Sequence, residues 1–343
     1  MTPATWPRDE VTDDRLLVVR PASGELRDAR VRDLPRHLAP GDLLVLNDAA
    51  TLPASFAART ETGEPVELRL ATQLAQAGEQ RWRAVLFGRG DWHTRTEDRE
   101  PPPRVRPGET LVIGPDLAAI VEQVDPEHPR LLVVRFPPRG AALWAALYRH
   151  GHPVQYAHVA RDLDLWHVQT PFASRPWAVE MPSAGRPLAW SVLSELRVRG
   201  VRLAVLTHAA GMSSTGDAAL DAVLPMPERF DVPGPTVLAV ARAHAEGHRV
   251  VAVGTTVVRA LEGCARLHGG ELVAGEGTTD LRIDARFRPR VVDGLLTGLH
   301  EIGSSHRQLM HAFAPEALLA RAWSHAEAAG YVDHEFGDVC LVL

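Results

Sequence analysis

Val250-Val251-Ala252-Val253 is apolar at every position, and Gly254-Thr255-Thr256 carries it directly into a helical pattern over Val257–Leu267. A strand with no polar alternate has to be covered on both faces, which is the condition of a parallel strand packed between helices. Neighbouring segments repeat the arrangement. Leu43-Leu44-Val45-Leu46 is a short buried strand introduced by Pro40-Gly41-Asp42 and closed by the polar pair Asn47-Asp48. Leu188–Arg199 reads as an amphipathic helix stopped by Gly200, Arg202–Thr207 as a strand, and Pro235–Glu246 as a helix stopped by Gly247. Strand, helix, strand in that order implies parallel pairing through helical crossovers. At the chain's start Leu16–Arg20 and Leu26–Val31 form a hairpin around the Pro21–Gly24 turn. At its end a helix over Pro315–Ala329 stops at Gly330 before a closing strand, Val339–Leu343.

Between about Thr62 and Tyr148 the texture changes. Short strands at Val66–Leu70, Arg81–Phe87, Thr110–Ile113, Ala118–Val124 and Leu131–Phe136 alternate with Gly and Pro turns, and helical periodicity is almost absent. That spacing predicts a small antiparallel barrel, with Asp91–Pro107, which contains Pro101-Pro102-Pro103, as its mobile loop. The expected fold class is therefore α/β: a mixed, barrel-like main domain built from residues 1–61 and 148–343, with a β-barrel inserted at 62–147. No internal repeat is visible.

Composition removes several chemistries. All 37 basic residues are arginine, so a Schiff-base enzyme and a phosphate loop of the GK[ST] kind are excluded. Only one asparagine is present, Asn47, and Ile and Tyr are scarce, the pattern of a genome that disfavours AT-rich codons. A net charge of -6 argues against non-specific coating of nucleic acid, DNA included, while leaving room for a local arginine patch that docks a folded RNA. Cys264 and Cys340 lack CxxC spacing, which fits a reducing cytoplasm better than a disulfide or zinc site, and no metal site is expected. The N-terminal segment has no apolar signal core, and no run approaches the ~18 apolar residues of a membrane span. A cytoplasmic monomer without a membrane partner is the expectation.

Gly254, Thr255 and Thr256 enter a helix with free backbone N–H groups and two hydroxyls, a receptor for a carboxylate or phosphate. The alternative is that Thr255 or Thr256 simply caps the helix. Arg259 and Glu262 on that helix are either a surface ion pair or an oriented pair facing the site. Asp293-Gly294-Leu295-Leu296-Thr297-Gly298-Leu299-His300, followed by Ser304 and Ser305, offers a histidine for proton transfer that Asp293 would orient once the loop folds back. Among sixteen histidines His300 is as easily structural. His208 closes a strand at the end where open α/β sheets gather ligands. Gln169-Thr170-Pro171 either contacts a base edge or turns the chain, and Gly337-Asp338 enters the last strand. Arg282, Arg286, Arg288 and Arg290 alternate with Leu281, Ile283, Ala285 and Phe287, as on an edge strand with a solvated basic face.

Taken in order, Gly41-Asp42-Leu43-Leu44-Val45-Leu46-Asn47-Asp48, Val168-Gln169-Thr170, Gly254-Thr255-Thr256 with Arg259 and Glu262, Asp293 to Thr297 with His300 and Ser304, and Phe336-Gly337-Asp338 resemble the S-adenosylmethionine:tRNA ribosyltransferase-isomerase family of queuosine biosynthesis. The resemblance spans nearly the whole chain. It implies an α/β domain with an inserted β-barrel and a transferase-isomerase activity. The ribosyl part of S-adenosylmethionine is moved onto a 7-aminomethyl-7-deazaguanine base in tRNA and rearranged to the epoxycyclopentane of epoxyqueuosine, with release of adenine and methionine. No metal, and no cofactor beyond S-adenosylmethionine as co-substrate, is implied.

The departures fall on polar positions. The family's Asn-Asp-Thr-Arg-Val-Ile-Pro-Ala-Arg becomes Asn47-Asp48-Ala49-Ala50-Thr51-Leu52-Pro53-Ala54-Ser55, losing two arginines. Pro-Thr-Ala-Gly-Leu-His-Phe-Thr becomes Pro182-Ser183-Ala184-Gly185-Arg186-Pro187-Leu188-Ala189, His-Val-Gly-x-Gly-Thr-Phe becomes His208-Ala209-Ala210-Gly211-Met212-Ser213-Ser214, Met-His-Ser-Glu becomes Pro225-Met226-Pro227-Glu228, and Thr-Asn-Phe-His becomes Thr297-Gly298-Leu299-His300. The reading that results gives His300, Asp293 and His208 to proton transfer. Asn47, Asp48, Gln169, Thr170, Gly254, Thr255, Thr256, Arg259, Glu262, Ser304 and Asp338 are given to substrate binding. S-adenosylmethionine and tRNA are the expected partners. The alternatives are a diverged paralogue acting on a non-tRNA acceptor and a non-catalytic RNA-binding relative.

Overall fold

A computed structural model describes residues 1–343 apart from 75–77, 79 and 302. Two sheets dominate it: a nine-stranded mixed sheet and a closed six-stranded barrel. Arg202–His208, Leu43–Asn47, Val250–Val253 and Gly294–Gly298 lie side by side in that order at the centre of the large sheet, all parallel. Val339–Val342 joins Gly294–Gly298 antiparallel, then Arg15–Arg20 and Glu25–Arg30 complete that flank. The apolar runs are divided by the pleat. Leu43, Val45, Val250 and Ala252 pack under Thr255–Leu267 and Glu316–Ala328. Leu44, Leu46, Val251 and Val253 face Trp190–Val198 and the short 3-10 helix Val31–Arg36. Each buried Leu and Val among them contributes roughly 1.5–3 kcal/mol, so both faces need their cover.

The barrel runs Leu117–Val124, Leu131–Arg135, Arg81–Phe87, Pro65–Gln73, Ser55–Arg59 and Thr110–Gly114 around its circumference. Its first strand, Ser55–Arg59, begins ahead of the expected boundary at residue 62, because Phe56 and Ala58 alternate into the barrel core. The helix Gly140–His150 was not foreseen. Its Ala-rich sequence blurs the period, yet Leu143, Ala146 and Leu147 close the barrel core.

Two local expectations are corrected. Within Asp91–Pro107, Arg99 is buried, ion-paired to Glu67 and bonded to the carbonyls of Gly88 and Gly90, so this segment is fastened back onto the barrel. The arginines at 282, 286, 288 and 290 do not line a strand. Leu281 and Ile283 turn inward as the alternation requires, but Asp284 accepts from the backbone N–H of Arg286 at 2.8 Å, a local bond that competes with a ladder.

Candidate active site at the ends of the parallel strands

The four parallel strands all end on one edge of the sheet, where side chains and helix N-termini meet. Asn47 is the hinge of this edge. Its Nδ2 donates to the carbonyl of His208 (3.0 Å) and to Thr256 Oγ1 (3.3 Å), while its Oδ1 accepts from the N–H groups of His208 (2.9 Å) and Ala49 (3.1 Å). The amide is fully used within the protein, so Asn47 ties three strand ends together rather than offering a free group to a ligand. Asp48 is similarly engaged by the hydroxyls of Thr207 (2.6 Å) and Ser174 (2.7 Å).

Gly254 leads into the helix Thr255–Leu267 with φ of +90°, in the left-handed region, and no side chain caps the helix. The capping alternative for Thr255 and Thr256 is therefore not what the structure has. Gly254 itself donates to the carbonyl of Leu296 (2.7 Å), which brings the helix start beside Thr297 and leaves the first N–H groups of the helix open.

Beneath this helix start lies a buried charge cluster. Arg259 is ion-paired to Glu228 and donates from Nε to the carbonyl of Leu281 (3.1 Å), and its Nη2 has no partner. Glu228 also accepts from the N–H of Gly211 (2.8 Å) and stands 3.3 Å from His208 Nε2. Burial pushes the Glu228 carboxyl up, against the pull of Arg259. His208 is fully buried and neither ring nitrogen has a hydrogen bond. Burial, with the charge of Arg259 added, pushes it well below the ordinary imidazole range, so it is neutral.

Arg259 and Glu262 do not form a pair. Glu262 turns away and accepts the backbone N–H groups of Arg290, Val291 and Val292 at 2.9–3.1 Å, anchoring the chain that enters Gly294–Gly298. His300 stands past the far end of that strand, its Nε2 2.7 Å from Thr297 Oγ1 and its ring stacked on His306, with centroids 4.9 Å apart. Burial, the neighbouring histidines and Arg307 hold His300 well below its ordinary value. Burial and Arg259 push His306 down to about 4.

Asp293 is the main correction. It precedes the strand on which Thr297 lies, and its carboxylate accepts from the N–H of Val250 (2.8 Å) at the opposite edge of the sheet, 3.5 Å from His244. An extended strand separates it from His300, and the loop does not fold back to join them. Three further candidates have local duties. Gln169 pairs both its amide atoms with the backbone of Thr51 (3.0 and 2.9 Å). Ser304 caps the helix Ser305–Met310 through the N–H of Arg307. Asp338, fully buried, accepts from the N–H groups of Arg15 and Val332 and pairs with Arg8. Thr170 is buried with its hydroxyl unpartnered. Sequence reasoning missed Glu228 and His306. Glu228 shared an inward face with Phe230 and Val232, and a carboxylate in that alternation requires a buried partner. His306 carried no comparable signal.

A family model described as "Queuosine biosynthesis protein" matches residues 2–342. The chain belongs to this family. The S-adenosylmethionine:tRNA ribosyltransferase-isomerase of Synechococcus sp. (strain RCC307) is 35% identical, covering 96% of this chain and 89% of its own length. That of Thermus thermophilus is 36% identical over 98% of this chain and 94% of its own. A crystal structure of S-adenosylmethionine tRNA ribosyltransferase from Thermotoga maritima is 26% identical, with a TM-score of 0.53, covering 99% of this chain and 96% of that one. The expected architecture of this queuosine family, α/β with an inserted antiparallel barrel, is the one observed. Among the described residues no helix is long and apolar enough to cross a membrane.

Proposed function

We propose that this chain transfers and isomerises the ribosyl moiety of S-adenosylmethionine onto a 7-aminomethyl-7-deazaguanine base in tRNA, at the sheet edge around Gly254. The observation that carries the reading is the uncapped helix start at Gly254–Thr256, set between the neutral, unpartnered His208 and the His300–His306 stack. Full-length membership of the queuosine family supports it.

The N–H groups of Thr255, Thr256 and Val257 receive the carboxylate of the methionyl part, where the helix dipole favours negative charge. Asn47 holds Thr256 in place for that contact. His300, held neutral by its burial, accepts the proton lost from the ribosyl carbon, with Thr297 fixing its ring. Its stacked neighbour His306 is likewise neutral, so no cation on that ring opposes a proton arriving at His300. Arg259, with one nitrogen unpartnered, supplies positive charge beside the leaving adenine. Methionine and adenine leave, and the reaction draws on no co-reactant other than S-adenosylmethionine. Work on tRNA sets the enzyme in the cytoplasm, and we read it as a monomer.

A second reading, transfer to a non-tRNA acceptor, is favoured by Ala50 and Ser55. They stand where the family's pattern has arginine, and Ser55 is turned to the barrel's Glu67 at 2.6 Å. Labelled S-adenosylmethionine incubated with and without precursor-bearing tRNA, with adenine release followed, separates the two. Release that depends on tRNA supports the first, and release without tRNA supports the second. Absence of S-adenosylmethionine binding overturns both.

A further inference from the structure

Next to the loop that carries His300, a connecting segment and the C-terminal turn bring two imidazoles and a carboxylate together. His158 Nε2 lies 3.1 Å from Glu335 Oε2, and His334 Nδ1 lies 4.0 Å from the same oxygen. The rings of His158 and His334 are 4.3 Å apart between centroids. One ligating atom from each of the three residues lies within 4.8 Å of the others.

An ordinary hydrogen-bonded cluster accounts for only part of this. Glu335 and His158 satisfy one another with a single proton. His334 is different, because its other nitrogen, Nε2, lies 3.2 Å from the carboxylate of Glu301. In the neutral imidazole, a proton on Nε2 facing that carboxylate leaves Nδ1, on the side of Glu335, as a lone pair free to ligate. The 4.0 Å between Nδ1 and the Glu335 oxygen leaves room for a cation that both would ligate. His334 is also the one non-glycine among the described residues with positive φ, +66°, a left-handed conformation that side chains disfavour. The surrounding turn enforces it: Gly337 donates to the carbonyl of His334 (3.0 Å), and a Cβ on Gly337 would sit 2.4 Å from the carbonyl oxygen of Asp333.

We propose that His158, His334 and Glu335 form a binding site for a divalent transition metal of the zinc class, with Glu301 orienting His334 from behind. Two imidazoles and one carboxylate are a donor set that zinc accepts, with the fourth position left for water. Metal bonds of about 2.1 Å place tetrahedral ligand atoms about 3.4 Å apart, between the two separations seen around Glu335. The carboxylate behind a metal-bound histidine is a recurrent device that fixes its tautomer. Such a metal would staple the segment carrying Tyr156 and His158 to the turn that precedes the last strand. The case for a metal here does not rest on the ribosyl-transfer reading, although Glu301 adjoins His300.

The test uses the full chain, free of any affinity tag and stripped with chelator, titrated with Co²⁺ and then Zn²⁺. One equivalent of Co²⁺ is expected to give the intense visible bands of four- or five-coordinate cobalt, displaced by Zn²⁺, and Zn²⁺ is expected to raise the thermal midpoint. His158→Ala and Glu335→Gln should abolish the bands. Glu301→Gln should weaken binding roughly 10–100-fold, and the exposed His93→Ala should leave it unchanged. Folding of each variant is checked by its cooperative metal-free melt. The proposal is overturned if wild-type protein shows neither bands nor a zinc-dependent shift, or if the His158→Ala/His334→Ala double variant binds as wild type does.

Discussion

Arg259 and Glu228 are joined in a buried ion pair directly beneath the start of the helix that carries Arg259, with His208 3.3 Å from the same carboxylate. This contact links the strand Glu228–Val232, which pairs with Arg202–His208 on one side and Gly275–Thr279 on the other, to the helix Thr255–Leu267, and it shapes the electrostatics of the strand ends. Burial pushes His208 and His306 down and the cation adds to that push, while the carboxylate keeps the cation tolerable in a buried place.

Glu228→Gln leaves Arg259 charged, buried and without a counter-ion, and should lower stability by roughly 3–5 kcal/mol. Glu228→Gln combined with Arg259→Met removes both charges and should recover more than half of the loss. Urea unfolding of the ligand-free proteins measures both. A single-variant loss under about 1 kcal/mol would show that water reaches the pair.

Asn47→Ala strips acceptors from two backbone N–H groups and releases Thr256. A stability loss of about 1–3 kcal/mol is expected from the buried groups left unpaired. The dissociation constant for S-adenosylmethionine, followed by calorimetry, should rise at least tenfold, about 1.4 kcal/mol. Destabilisation with unchanged affinity would separate Asn47 from the binding edge.

Asp293→Asn keeps an acceptor for the N–H of Val250 and lies at the wrong edge for catalysis, so adenine release should stay within about twofold of wild type. His300→Gln should slow the chemical step by roughly 10²–10⁴-fold, the range for losing a general base. Single-turnover rates at saturating S-adenosylmethionine compare them. A large effect of Asp293→Asn would contradict its placement at the far edge.

Stability should fall on acidification through the window between pH 6.5 and about 4, in which His306 is neutral when folded and protonated when unfolded. The unfolded chain binds more protons there, so stability rises with pH up to 6.5 and that contribution is flat above it. His208 and His300, shifted in the same direction, steepen the slope. Denaturant midpoints across this range, compared between wild type and His306→Gln, give the reading. A slope that the variant leaves unaltered would exclude His306 as a contributor.

Much of the architecture was legible because it rests on local periodicity. The unbroken apolar run at Val250–Val253 needed cover on both faces, and the Gly and Pro punctuation from Val66 onward needed short antiparallel strands. Those requirements are set residue by residue, before any long-range contact forms. The one asparagine, Asn47, and the Gly254-Thr255-Thr256 segment were placed correctly at strand ends for the same reason. Direction and partnership were not legible. Arg259 and Glu262 sit one turn apart, yet one faces Glu228 and the other three backbone N–H groups. Asp293 and His300 are close in sequence and occupy opposite edges of the sheet, because an extended strand between them carries the chain across it. His158 meets His334 and Glu335 only when the segment after the barrel packs against the turn before the last strand. Pattern decides which residues are buried. Only the packed sheet decides which buried charges find each other, since a desolvated charge takes whatever partner the tertiary structure brings within reach.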